Sequence, residues 1–294
     1  MNDTNLLDQS IPPFAASANT GVDIRQTGSF SRSAVQDGLG VFMNGSVHLA
    51  FETLSESAQK GNVRAQFYLG QVYFHGRGIR KNLDEASNWF HQAGAKGHAR
   101  AQYYLGLMYS GGIGVSKSYT QSATWFRFAA KQGDALAQYN LGLMYFHGNG
   151  VIAHFQEAAK WFFMAAQQGL AEAQYNLGYL FDAGLGLTEN KTEAINWYFK
   201  AAEQGMNSAR YNLGLIYARG EGVLRDDAKA AHWLTLGAEA DHGDCQYALA
   251  LLYARCRHDD ACRLQALKWC REACRKFIPN APLLLRVLSR PSLV

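Results

Sequence analysis

The hydrophobic positions of the chain follow the spacing of amphipathic α-helices. Ala65, Leu69, Val72 and Tyr73 stand at i, i+4, i+7 and i+8, which is one face of a helix. A glycine pair follows and predicts the end of that helix, because glycine adopts the left-handed conformation of a helix C-terminus without strain. A second apolar stretch of helical spacing comes next and also ends at glycine. It contains Ala86, Trp89, Phe90, Ala93 and Gly97.

This helix–loop–helix pattern recurs every 36 residues. The six tryptophans keep that interval: Trp89, Trp125, Trp161, Trp197, Trp233 and Trp269. A Leu-Gly pair keeps it from Leu69-Gly70 to Leu213-Gly214 and becomes Leu249-Ala250 in the last copy. A Gly-x-Gly element keeps it from Gly76 to Gly222. Because one helix pair cannot bury its apolar face alone, about six such units must stack on one another.

The repeated motifs resemble the Sel1-like repeat family, a branch of the tetratricopeptide-like solenoids. The resemblance rests on Ala-Gln-Tyr-Asn-Leu-Gly at Ala137 and Ala173, on the Gly-x-Gly-Val loop and on the Ala-x-x-Trp-Phe second helix, and it covers about residues 47–278. It implies an all-α, right-handed α/α solenoid of about six 36-residue helical hairpins with capping helices. It also implies a scaffold or adaptor without catalytic residues.

The ends of the chain depart from the repeat. Residues 1–45 lack the 36-residue spacing of motifs, which predicts a flexible N-terminal arm. Residues 46–278 form the predicted solenoid, which opens with a capping helix in which Thr53 replaces the tryptophan. Residues 279–294 form a predicted C-terminal capping segment. A central tryptophan such as Trp161 is expected to be covered on both sides, and the terminal Trp269 less so.

Composition and charge narrow the class of protein. Among 294 residues, 48% are hydrophobic and 18% charged, which excludes a disordered chain. The net charge of +4 is too small to indicate a nucleic-acid partner, and no apolar run predicts a transmembrane segment. The first 30 residues have no apolar core of a secretory signal. We therefore expect a cytoplasmic protein, and a monomer.

The sequence contains no motif that predicts catalysis, a cofactor or a metal ion. A phosphate-binding Gly-x-Gly-x-x-Gly follows a strand, whereas each glycine pair here follows a predicted helix and recurs, which favours a structural role. The nine histidines lack metal-ligand spacing and are expected at the surface. We predict that the protein is not an enzyme.

All five cysteines lie near the C-terminus, and three interpretations are open: reduced packing thiols, disulfides or a metal site. They are Cys245, Cys256, Cys262, Cys270 and Cys274. Their spacing matches no zinc pattern. Reduced thiols are favoured because no export signal accompanies them, although Cys256 and Cys262 flank a short loop and could form a bridge. A cysteine-rich branch of the resembled family is secreted and bridges its helix pairs in most units, unlike this chain.

The C-terminal end of the chain is basic. Residues 255–294 hold nine Arg or Lys and three acidic residues, a net charge of +6. Such an end could bind an anionic surface, or it could be an ordinary solvated cap.

A row of aromatic and asparagine residues on the first helices is the predicted partner-binding site. In related solenoids the first helices line the concave surface. The predicted residues are Phe67, Tyr103, Tyr139, Asn140, Tyr175, Asn176, Tyr211 and Asn212. Asparagine can donate to and accept from a peptide backbone. Alternatively, the asparagines bond to neighbouring repeats and the tyrosines pack between units.

The sequence therefore predicts a non-enzymatic scaffold that binds a protein or peptide partner along its concave surface, with no nucleic acid and no cofactor. The alternative is a secreted, cysteine-containing relative with hydrolase or cell-wall ligand-binding activity.

Overall fold

The computed structural model describes residues 47–256 and 259–289, with side chains from residue 51 onward. The predicted N-terminal arm, residues 1–45, lies outside the described residues. Every regular element in the described part is a helix, and the helices follow one another in pairs. The fold is the predicted α/α solenoid.

Six helix pairs follow an initial helix and precede a final one. The helices are α1 (Val47–Gln59), α2 (Val63–His75), α3 (Leu83–Ala95), α4 (Ala99–Gly111), α5 (Tyr119–Lys131), α6 (Ala135–His147), α7 (Phe155–Gln167), α8 (Ala171–Ala183), α9 (Lys191–Glu203), α10 (Asn207–Arg219), α11 (Asp227–Glu239), α12 (Gly243–Ala254), α13 (Asp260–Arg275) and α14 (Ala281–Leu288). The even-numbered helices α2 to α12 are called first helices, and the odd-numbered helices α3 to α13 second helices. The described residues form two compact units, 47–168 and 169–289, which are treated separately below.

Most helices begin at a residue whose side chain accepts a hydrogen bond from the first turn. Among the first helices, Asn62, His98, Asp134 and His242 act in this way. These caps satisfy backbone N–H groups that have no partner inside the helix. Helices α8 and α10 begin at Leu170 and Met206 without a side-chain cap.

Within each repeat the two helices touch where the first one carries glycine. A Cβ atom on Gly142 would lie 2.7 Å from two ring carbons of Phe162 on the second helix. The ring of Phe162 is fully buried. The same contact recurs in the pairs Gly70–Phe90, Gly106–Phe126, Gly178–Tyr198 and Gly214–Leu234. The repeated Leu-Gly pair therefore exists because a side chain there would displace the ring that fills the repeat.

Both glycines of the Gly-x-Gly loop have structural roles. The first ends the helix in the left-handed conformation, as Gly148 does with φ +73 while its N–H donates to the carbonyl of Met144. The second also has positive φ, +70 at Gly150, and a Cβ there would meet the backbone of Tyr119 in the preceding repeat. This geometry accounts for the motif without a bound phosphate.

A buried glutamine joins the first helices α2, α4, α6 and α12 to the end of the preceding helix. Nε2 of Gln102 donates to the carbonyl of Gly94 at 2.9 Å, and Nε2 of Gln138 donates to that of Ala130 at 3.1 Å. In the second unit Nε2 of Gln246 donates to the carbonyl of Ala238 at 3.2 Å. These side chains bind consecutive repeats to one another and leave few polar atoms unpaired in the interior.

The last helix pair departs from the frame. Helix α13 begins at Asp260, after its cap Asp259, so it starts three residues before the position that the 36-residue period predicts. The expectation for the two tryptophans is wrong. Trp269 is only 8% exposed whereas Trp161 is half-buried, because Trp269 shares a hydrophobic cluster with Leu284 of α14.

We predict that Gly142→Ala destabilises the protein by about 1–3 kcal/mol, despite the better helix propensity of alanine, because the new methyl group overpacks the repeat. In a Phe162→Cys background the same change should be neutral or stabilising. That background imitates the last repeat, where Ala250 and Cys270 hold the two positions and are both fully buried. Urea unfolding of the four proteins measures the coupling, and an equal penalty in both backgrounds would show that the ring is not the cause.

Candidate partner-binding surface

The first helices of consecutive repeats contact one another within each unit. In residues 47–168 helix α4 contacts α6, and in residues 169–289 helix α10 contacts α12. One such contact is the hydrogen bond from Nε2 of Gln71 to the hydroxyl of Tyr104, at 3.3 Å. Consecutive second helices approach each other less closely. The first helices therefore form the inner layer of each unit. Their side chains that face away from the second helices are the candidates for contact with a partner.

The predicted aromatic row lies mainly under that surface. Phe67, Tyr103 and Tyr211 are 7%, 3% and 9% exposed, while Tyr139 and Tyr175 are half-buried. The rings of the first four residues of the row pack on the second helix of their own repeat. The centroid distances are 6.0 Å for Phe67–Phe90, 5.9 Å for Tyr103–Phe126, 5.8 Å for Tyr139–Phe162 and 5.6 Å for Tyr175–Tyr198.

Burial also dominates the electrostatics of this row. It raises the pKa of Tyr103 and of Tyr211 far above that of an exposed tyrosine, so both stay protonated at any pH where the protein is folded. The guanidinium of Arg100 lies 5.2 Å from the centre of the Tyr103 ring. These residues chiefly hold helices together, which is the packing role that the sequence left open.

The three predicted asparagines differ in their surroundings. Nδ2 of Asn140 donates to the carbonyl of Leu136 in its own helix at 2.8 Å, and Asn140 is 7% exposed. Asn212 is 8% exposed and lies beside Tyr175, where its amide opposes the rise in pKa that burial causes in the tyrosine. Asn176 is half-buried. Of the three, Asn176 therefore offers the most surface to a partner.

One helical turn beyond the asparagines, a second set of residues is half-buried. Leu143, Tyr179 and Leu215 hold this position in successive repeats. We call Tyr175, Asn176, Tyr179 and Leu215 the inner strip of residues 169–289. In residues 47–168 the corresponding half-buried residues are Tyr68, Tyr139 and Leu143.

The glutamine that precedes each aromatic residue is a part of the framework whose role the sequence analysis missed. In three repeats its Oε1 atom accepts a hydrogen bond from a glutamine at the end of the next second helix: Gln132 to Gln102 at 2.7 Å, Gln168 to Gln138 at 2.8 Å and Gln204 to Gln174 at 2.8 Å. Strict recurrence of a polar residue between two apolar ones could have revealed it, because a buried amide must find partners. Where Arg210 replaces the glutamine, its Nε still donates to the carbonyl of Ala202, at 3.2 Å.

Three histidines are helix caps, a role that the sequence analysis missed. His154 is exposed, as predicted, whereas His98 and His242 are half-buried. Nδ1 of His98 accepts from the N–H of Ala101 at 3.2 Å, and Nδ1 of His154 accepts from that of Glu157 at 3.2 Å. Nδ1 of His242 accepts from the N–H of Cys245 at 3.4 Å. Only an unprotonated Nδ1 can accept. Burial lowers the pKa of His98 and of His242, which keeps this form at neutral pH.

The cysteines divide into two groups. Cys256 and Cys262 are joined by a disulfide, so the expectation of reduced thiols is wrong for this pair. They hold the positions at which the other repeats place the first loop glycine and the cap of the second helix, so the bond closes the same loop. Cys245 and Cys270 are buried free thiols, and burial raises the pKa of each to about 12, which makes them unreactive. Cys274 is free and partly buried.

Two further observations concern the described residues alone. Within them, no group of three or more His, Cys, Asp and Glu side chains is placed to hold a metal ion. None of the helices in this part combines the length and apolar content that crossing a bilayer requires.

Comparison with known proteins identifies the repeat. The family model described as Sel1 repeat matches five consecutive segments, residues 63–98, 99–134, 135–170, 171–206 and 207–242. The chain is 30% identical to a Sel1 repeat protein from Oxalobacter formigenes, with a TM-score of 0.68 over 82% of this chain and 99% of that one. No functionally curated protein matches it.

A second solved structure is a protective antigen present in uropathogenic Escherichia coli strains and displaying an SLR fold. It is 33% identical, with a TM-score of 0.68 over 81% of this chain. The chain spans only 59% of the length of that antigen.

We predict that His98→Asn makes stability less dependent on pH between about pH 7.5 and pH 5. Because the folded state lowers the pKa of His98, the unfolded chain binds the proton more readily. The stabilisation from the cap is complete above about pH 6.5 and is lost as the pH falls through the folded-state pKa.

Asparagine caps the same position one repeat earlier, at Asn62, so the variant should be as stable as the wild type near neutral pH. At acid pH the variant should retain about 1 kcal/mol of unfolding free energy that the wild type loses. Urea midpoints across the pH range measure this. Parallel curves for the two proteins would show that the cap does not titrate.

Proposed function

Since the chain belongs to the Sel1 repeat family, we propose that it is a non-enzymatic scaffold that binds a protein or peptide partner along its first helices. The observation that carries the proposal is the inner strip. Tyr175, Asn176, Tyr179 and Leu215 are half-buried on helices of the inner layer and recur at equivalent positions of the repeat. The buried members of the predicted row, such as Tyr211 and Asn212, support the strip from beneath.

The chemistry of the strip suits an extended polypeptide. Tyrosine offers a large contact area with little rotamer freedom to lose, and leucine adds apolar area. The amide of Asn176 can pair with either polar group of a passing peptide bond, without demanding a particular side chain. Because each repeat presents its residues in the same way, an extended chain or a helix would meet similar groups at regular intervals.

A second candidate function is favoured by the Cys256–Cys262 disulfide. Such bonds persist in oxidising compartments and are rare in the cytosol. An exported protein that binds a cell-wall or extracellular ligand, or acts on it as a hydrolase, would fit this bond better than the cytoplasmic adaptor that the sequence predicts. The inner strip could bind a partner in either candidate function. The compartment of the protein is therefore tested separately from its binding surface.

We predict that the strip binds polypeptides and that Tyr179→Ala weakens this binding by about 2 kcal/mol or more. Asn176→Ala should weaken it by about 1–3 kcal/mol, because a peptide group loses its buried partner. Peptides selected from a random displayed library against the whole chain supply the probe, and titration calorimetry supplies the dissociation constants. Affinity capture from the native cell repeats the comparison with natural partners.

Leu224→Ala is the matched control, because Leu224 lies in the same unit, is 92% exposed and is outside the strip. It should leave both binding and the urea midpoint unchanged. Unchanged dissociation constants for the Asn176 and Tyr179 variants, together with lower urea midpoints, would show that the strip only joins neighbouring repeats.

We predict that protein taken from its native cell under acid quench exposes three alkylatable thiols when denatured, with two more appearing after reduction. The three are Cys245, Cys270 and Cys274, and the two are the disulfide-bonded pair. Mass spectrometry of the alkylated peptides counts them. Five thiols without added reductant would place the protein in a reducing compartment and exclude the exported candidate.

A further inference from the structure

Phe277 occupies a position that four other repeats and the initial helix give to glycine. The second residue after the helix has positive φ, near +90, at Gly61 behind α1 and at Gly97, Gly133, Gly169 and Gly205 behind α3, α5, α7 and α9. One repeat earlier than Phe277 the residue is Asp241, with φ 62, and Phe277 itself has φ 57. Aspartate is tolerated in this conformation, whereas a bulky aromatic residue is strained in it.

The two non-glycine residues differ in what the fold gains from them. The carboxylate of Asp241 pairs with Lys276 and accepts a hydrogen bond from Gln246, so its contacts offset the backbone strain. The ring of Phe277 is 91% exposed, and among the described residues its one hydrogen bond runs from its backbone N–H to the carbonyl of Cys274 at 3.1 Å. The exposed ring therefore adds little to the packing of the described residues. Strained backbone positions of this kind cluster at functional sites.

Cationic side chains precede this turn. Lys268, Arg271 and Arg275 stand at i, i+3 and i+7 on α13 and are all exposed, and Lys276 directly precedes the phenylalanine. Helix α14 also exposes Arg286, but near its C-terminal end, where the carbonyl of Leu288 accepts a hydrogen bond from Arg263 near the start of α13. Arg286 therefore lies away from the turn. Glu272 neutralises Arg275, and Asp241 neutralises Lys276. Arg271 forms no ion pair within the described part of the chain, so its charge is available to an anion.

The first turn of α14 adds apolar surface to the same end. Leu283 is 52% exposed, and Pro282 beside it is exposed as well. Leu284 and Leu288 point the other way and are buried against the last repeat. We call the segment 276–283, together with Arg271, the terminal turn.

We propose that the terminal turn binds an anionic phospholipid surface, with the ring of Phe277 inserted at the level of the headgroups. This interaction is separate from partner binding on the inner strip. A lipid interface encloses a single projecting ring without a preformed pocket, whereas protein partners usually need a wider apolar patch around a hot spot. The exposed cationic side chains of α13 that precede the ring match the negative headgroups.

The test is co-sedimentation of the whole purified chain with two kinds of vesicle at low ionic strength. One kind is an equimolar mixture of phosphatidylserine and phosphatidylcholine, and the other is phosphatidylcholine alone. We expect binding to the anionic vesicles only, and a loss of binding as salt is added. Phe277→Gly should lower the partition coefficient about tenfold or more, because the inserted ring is removed.

The glycine variant also separates binding from folding. Glycine is the residue that the other repeats use at this position, so the urea midpoint of Phe277→Gly should be equal to or above that of the wild type. Arg271→Ala should lower partitioning about fivefold. Ile152→Gly is the matched control, because Ile152 is a loop residue with 89% exposure and no charged neighbour in sequence, and it should bind as the wild type does.

Three results would overturn the proposal. The first is wild-type binding by Phe277→Gly. The second is equal partitioning onto neutral and anionic vesicles. The third is binding of soluble polyglutamate without binding of vesicles, which would assign the terminal turn to an acidic protein instead.

Discussion

The close contact between a glycine of the first helix and a ring of the second is the constraint from which the rest of each repeat follows. It sets how near the two helices lie, as the approach of Phe162 to Gly142 shows. It also explains the one repeat in which both positions differ. The last repeat has Ala250 in place of the glycine and Cys270 in place of the ring. The larger residue on the first helix is matched there by a smaller one on the second, so the volume of the interior is conserved.

Much of this could be predicted from the sequence because it depends on periodicity. The 36-residue interval, the helix pairs and the loop glycines all follow from residue types that recur at one spacing. What could not be predicted is which side of a helix a residue faces when both sides are packed. Tyrosine and asparagine are typical of binding surfaces. Yet Tyr103 packs on Phe126, and Asn140 donates a hydrogen bond to a carbonyl of its own helix.

The local exceptions were harder to anticipate for a different reason. The coverage of Trp269 depends on α14, a helix outside the repeat frame, so the repeat carries no information about it. The caps at His98 and His242 depend on backbone geometry at a helix start, where histidine substitutes for the usual short polar residues. The Cys256–Cys262 bond likewise joins two positions that hold no cysteine in any other repeat, so the repeat pattern could not predict it.

Helices α8 and α10 carry the inner strip of residues 169–289, and both start at an apolar residue, Leu170 or Met206, whose side chain does not accept a hydrogen bond from the first turn. The first turn of α8 lacks the side-chain acceptor that Asn62 or Asp134 supplies elsewhere, and in α10 the corresponding N–H of Ala209 donates to the backbone carbonyl of Met206 instead, at 3.1 Å. A turn without a side-chain cap opens at a free-energy cost about 1 kcal/mol lower than a capped one, which corresponds to amide exchange about fivefold faster. The two helices that present the inner strip therefore fray more readily than the capped first helices, at the ends where Glu172 and Ser208 stand, and a bound polypeptide would slow that exchange from outside the helix.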